Sequence, residues 1–178
     1  MPRLAVLAFC VLLSGCFSSD GPLFADTRGQ CPFATPTIYE EVDEHPARFL
    51  FARDGANCVT TDEQGKQTRT LFVPIGGDWW IVQGADPHPS YMLIHRSGGR
   101  LIQYAPPCHD FSASRLSRLG VTYDDERREC TATQARQIET LFRAWRYGWF
   151  HQPGDIYREM APGTVMTPAS SPETPTTP

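Results

Sequence analysis

Four stretches of this 178-residue chain hold side chains that could do chemistry. The run PPCHDF puts Cys108, His109 and Asp110 in direct succession, the residue types of a nucleophile, its base and an orienting carboxylate. Neighbouring side chains seldom aim at one point in space, so Cys108 is better used as half of a disulfide. Two acidic clusters, Glu40, Glu41, Asp43 and Glu44, then Asp124, Asp125 and Glu126, could hydrolyse a glycoside if they faced each other about 5 to 10 Å apart across a cleft. In loops, such runs are solvated faces. RAWRYGWFH, residues 143–151, interleaves Arg143 and Arg146 with Trp145, Tyr147, Trp149 and Phe150, a mixture that stacks on planar ligands or sugars and holds carboxylates. Trp145 continues the apolar stripe of a helix, whereas Arg146 and Tyr147 fall off it. With Trp149 and Trp80 they form the candidate binding surface.

Trp80 qualifies because it adjoins Trp79 on an expected strand, where successive side chains point to opposite faces of the sheet. Either a helix covers the second face or one indole is free to stack. His88 and His95 have no near partner in sequence and read as surface residues. The chain contains no GxSxG, HExxH, P-loop or Rossmann glycine pattern. With no CxxC or HxxxH pair either, no metal and no cofactor is expected.

The elements that must position these residues lie between 37 and 160. Six short β-rich runs, ARFLFAR, CVTTD, TRTLFVPI, DWWIVQG, SYMLIHR and RLIQYA, are each closed by Gly, Pro or Asp turn signals, the signature of an antiparallel meander. The period then changes. Thr131 to Gln134 resembles a capping box, and Ala135, Ile138, Leu141, Phe142 and Trp145 follow at helical spacing, predicting a helix over 132–147 stopped by Gly148. A shorter helix is predicted from Ser112 to Leu119, ended by Gly120. The expected fold is α+β and β-rich: an antiparallel six-stranded meander or partial barrel with the C-terminal helix covering its open face.

The flanks differ in composition. Residues 16–36, rich in Ser, Gly, Pro and Asp, read as a flexible tether; residues 161–178, with five Pro, five Thr and one charge, read as a disordered tail. The formal charge is −4, one unit more negative once Arg3 is lost with residues 1–15. That argues against nucleic acid, whose phosphates need a basic stripe.

Upstream, Arg3 precedes ten residues, Leu4 to Leu13, without charge, Gly or Pro, the layout of a secretory signal. A bilayer span needs roughly 20 apolar residues, so this run is too short to be one. Leu13-Ser14-Gly15-Cys16 resembles the lipobox of bacterial lipoproteins, and the resemblance implies that residues 1–15 are removed and that Cys16 becomes an acylated N-terminus. It also implies an address: aspartate after the cysteine retains such proteins in the inner membrane, and Phe17 here points to the periplasmic face of the outer membrane. Of six cysteines, Cys10 goes with the signal and Cys16 takes the lipid. Cys31, Cys58, Cys108 and Cys130 remain for two disulfides in an oxidising compartment. Pairing Cys31 with Cys58 and Cys108 with Cys130 closes loops of about 20 to 30 residues, each stabilising by about 3 kcal/mol; the other two connectivities stay open.

The functional expectation is a lipid-anchored periplasmic binding or assembly-accessory module whose partner is an envelope protein or peptidoglycan. The alternatives are a cell-wall hydrolase acting through the carboxylate clusters and an inhibitor of wall-degrading enzymes. Cys16→Ala should release the protein from membranes in cell fractionation, and an unchanged membrane fraction would refute the lipid.

Overall fold

The computed structural model describes residues 17–44, 46–84, 87–148 and 153–166. In chain order its strands are β1 (Phe17–Ser18), β2 (Thr37–Glu41), β3 (Arg48–Asp54), β4 (Asn57–Thr61), β5 (Gln67–Pro74), β6 (Trp79–Gln83), β7 (Ser90–Ser97), β8 (Arg100–Tyr104), β9 (Thr122–Asp124), β10 (Glu129–Thr131) and β11 (Ile156–Glu159). Helix α1 (Ala113–Leu119) precedes β9 and helix α2 (Ala135–Trp145) follows β10. Strands β2 to β8 pair each with the next, β6 pairs with both β5 and β7, and β11 lies between β8 and β2. The result is a closed eight-stranded antiparallel barrel, to which β1, β10 and β9 add a short extension from β7.

This overturns the six-stranded partial barrel. The six β-rich runs are strands β3 to β8, but β2 and β11 complete the ring, and α2 packs outside it instead of closing an open face. Both added strands carry charge on their outer face, where Glu40 receives Arg48 and Arg158. That charge hides their strand character in a composition-based reading. The helix start also shifts: Gln134 is the N-cap, its backbone N–H donating to Gln137 Oε1 at 2.8 Å, so the capping position lies three residues beyond Thr131. Ser112 caps α1 and Gly120 ends it in the left-handed conformation, as the residue types predict.

Alternation along the strands sorts the core into two parts. Tyr39, Phe72, Trp80, Val82, Ile94, Leu101 and Tyr157 point inward and pack with Cys31 and Phe33. Leu71, Val73, Ile81, Tyr91 and Leu93 point outward, where Ile138, Leu141, Phe142 and Trp145 of α2 cover them. Strands β5, β6 and β7 are therefore buried on both faces. The β7–β8 hairpin turns on Gly98 and Gly99, whose φ of 57° and 73° suit a two-residue turn that splays neither strand.

Residues 17–36 are not a flexible tether. Phe17 is fully buried, opposite Tyr91 on one side and Cys130 on the other, with its ring edge-on to Phe111 and Phe142. Buried Gln83 accepts the amides of Leu23 and Phe24 at 3.0 and 2.9 Å. Downstream, the chain enters the barrel end: Gln30 donates to the Phe72 carbonyl, Arg53 and Arg96 donate to the carbonyls of Cys31 and Pro32, and Phe33 fills the interior beside Tyr39, Phe51 and Phe72. Where this segment crosses β5, a Cβ on Gly29 would lie 2.4 Å from Leu71 Cδ1, 2.9 Å from Asn57 Oδ1 and 3.0 Å from the Asp26 carbonyl oxygen, so any larger residue would force its neighbours to shift. Turn residues mark the segment as irregular, but irregular backbone can still be packed. Disulfides join Cys31 to Cys58 and Cys108 to Cys130. Cys16 and residues 167–178 of the expected tail lie outside the described residues.

Phe17→Ala should lower stability by about 3 to 5 kcal/mol in urea unfolding, the range for deleting a buried aromatic ring, whereas a tether residue would change almost nothing.

Candidate binding surface

Between the helical layer and the free part of the barrel wall, outward side chains of four strands align in one transverse row. Trp79 stands opposite His95, His95 opposite Ile102, and Ile102 opposite Ile156. Val42, whose amide donates to the Ile156 carbonyl at 2.7 Å, carries the row to the end of β2 and is 61% exposed. The Trp79 indole lies flat on the His95 imidazole at 4.4 Å and on the Tyr104 ring at 5.4 Å, and Tyr104 meets Trp145 edge-on. Trp79, His95, Ile102, Tyr104 and Ile156 are all half-buried, so the band offers ring and aliphatic surface to whatever approaches.

Trp79, not Trp80, therefore supplies the outward indole, which corrects the sequence-based choice. Trp80 points into the barrel, 8% exposed, and its buried Nε1 has no hydrogen-bond partner among the described residues. Because β6 is covered outside by α2 and filled inside by the barrel core, WWIVQ is apolar on both faces. Periodicity then cannot rank the two indoles.

Arg146 and Tyr147 form a rigid corner at the end of α2. Arg146 Nη1 donates to the carbonyls of Ile75 and Gly76 at 2.8 and 3.0 Å, and Arg143 also donates to Ile75. The β5–β6 turn presents those carbonyls through Gly76, whose φ of 102° excludes an unstrained side-chain residue. The Arg146 guanidinium lies 4.6 Å over the Tyr147 ring, which is 69% exposed. Trp149, the fourth expected residue, lies outside the described residues.

The other sequence-level candidates are scattered. Cys108 is in its disulfide, His109 is exposed, and Asp110 accepts the Trp145 indole N–H at 2.7 Å. Of the acidic clusters, Glu40 faces outward between Arg48 and Arg158, whose hydrogen bonds, Arg48 first, hold its carboxyl below the usual range. Glu41 faces inward near Asp155, where desolvation and then the Asp155 and Asp43 charges raise its pKa. Asp124 caps its own turn, accepting the amides of Glu126 and Arg127, and β11, β8, β7, β1 and β10 lie between β2 and β9 in the sheet. A surface cleft between α1 and α2 is lined by Ser112, Arg115, Arg118, Leu119 and Thr140, apart from all of these. No protein family model, curated protein or solved structure matches the chain.

Within the band, burial against Trp79 pushes the His95 pKa below its ordinary 6.5, and Asp78 only partly opposes this. The folded state thus holds fewer protons on His95 than the unfolded chain between its folded pKa and 6.5, so this residue makes stability rise with pH across that window. His95→Gln should flatten that part of the stability profile measured by urea midpoints, and an unchanged slope would place the origin elsewhere.

Proposed function

We propose that the chain is a lipid-anchored binding or assembly-accessory module of the bacterial cell envelope, held through Cys16 at the periplasmic face of the outer membrane. Its partner is an envelope protein or peptidoglycan, met at the outer surface of the barrel. The observation that carries this reading is the Arg146–Tyr147 corner. An exposed tyrosine ring is held under a guanidinium that two backbone carbonyls fix in place, so the pair loses little freedom when a ligand arrives. Exposed Tyr beside Arg is also the composition of interface hot spots.

The barrel interior supports an outer site. Phe33 belongs to the chain itself and takes the central position among Tyr39, Phe51 and Phe72, where an eight-stranded barrel of another sequence could hold a small ligand. The two disulfides suit an oxidising compartment.

A photo-crosslinking amino acid at position 147 of the membrane-anchored protein should give a discrete adduct in cells, with protein or with glycan, identified by mass spectrometry. The same group at Lys66, on the β4–β5 turn, should not. Equal patterns from the two positions would refute the corner as the contact.

A further inference from the structure

We propose that the band of Ile102, Tyr104, Ile156 and Val42 is a membrane-contact surface, and that the barrel lies flush on the bilayer with this band in the headgroup layer. The proposal rests on the reading of Cys16 as the lipid-bearing residue and adds what that anchor does to the domain.

The chain has no slack after Cys16. Phe17 is fully buried and register-paired to both β7 and β10, so the chain is fixed to the barrel one peptide after the acylated residue. Consecutive Cα atoms are about 3.8 Å apart, which leaves the domain no distance to hang below the membrane. The place of attachment follows from the ladder. Tyr104, at the end of β8, stands opposite Leu93, and Phe17 stands opposite Tyr91 on the same edge of β7. The two strands thus lie end to end, separated by about two residues or roughly 7 Å of strand. One peptide away from Phe17, the acyl chains accordingly start within roughly 11 Å of Tyr104, at the edge of the apolar band.

That surface is built for an interface. A tyrosine and aliphatic side chains face outward there, half-buried, with Val42 more open. Aromatic rings with a polar tip favour the level of the lipid headgroups. Arg100 and Arg158 follow two residues along β8 and β11 from Ile102 and Ile156, where guanidinium groups can meet phosphates. Asp43 and Glu44 next to Val42 set the depth: carboxylates keep this edge out of the hydrocarbon. Each exposed apolar contact adds to the anchor, which by itself already holds the chain.

The full-length acylated protein, extracted and reconstituted in vesicles of phosphatidylethanolamine and phosphatidylglycerol, carries a nitroxide at one introduced thiol, V42C or I156C, with K66C as the aqueous control. The disulfides leave that thiol as the reactive one. Power-saturation spectra should show oxygen collisions favoured over those of a water-soluble nickel chelate severalfold at 42 and 156 relative to 66. Equal accessibility at all three positions, in protein that still floats with the vesicles, would overturn the flush orientation while leaving the anchor intact. Exclusion of both relaxants at 42 and 156 would overturn it too, since protein would then cover the band. If C16A protein floated with vesicles as well as the wild type does, the anchor itself would fail.

Discussion

β11 pairs with β8 on one side and β2 on the other, and until it does so both of those strands are open edges. Roughly fifty residues, including both helices, separate β8 from β11 in sequence, so loop-closure entropy must be offset before the last ladder forms. What recruits β11 is visible at its two faces. Tyr157 buries its ring inside beside Phe49, and Arg158 reaches Glu40 outside, where Arg48 already waits. Arg158 is largely exposed, so the ion pair fixes register more than it stabilises.

Closure dictates the rest of the architecture. A ring of eight strands has an interior that must be filled, and the chain fills it with Phe33, carried on the segment before β2 and stapled by Cys31 to Cys58. The outer wall of β5, β6 and β7 is then too apolar to meet water and takes α2 and Phe17. The N-terminal segment is therefore bound twice, once outside the wall and once inside the barrel. The two proposed contact surfaces sit where this covering stops: the aromatic band along the border of the helical layer, and the corner where α2 ends against the β5–β6 turn.

Much of the local structure was legible before the tertiary arrangement was known. Six of the barrel strands follow from β-branched and aromatic runs between glycine turns, both helices from apolar spacing, and α1 from its Ser112 cap and Gly120 stop. Residues 17–36 have the composition of a tether because Ser, Gly and Pro report local conformation and say nothing about burial; Phe17, Phe24 and Phe33 are the signal that this segment has a core to enter. Trp80 reads as a surface residue for a different reason. A strand covered on both faces loses the alternation that separates inside from outside, so WWIVQ offers no hint as to which indole faces out.

Sequence alone determined the elements whose causes are local: turns set by glycine, the Ser112 cap and Gly120 stop of α1, an amphipathic helix, four cysteines at spacings that suit two staples, and an apolar run followed by a lipobox-like Leu-Ser-Gly-Cys. Tertiary structure decided what depends on partners far along the chain. Whether TIYEE and IYRE are strands at all was settled by ring closure, since their outward charges are tolerable only when Glu40, Arg48 and Arg158 meet across three strands. Which tryptophan faces out, and that Phe17 is buried in the sheet, were settled the same way, because burial belongs to the assembled layers and is not carried by any one segment.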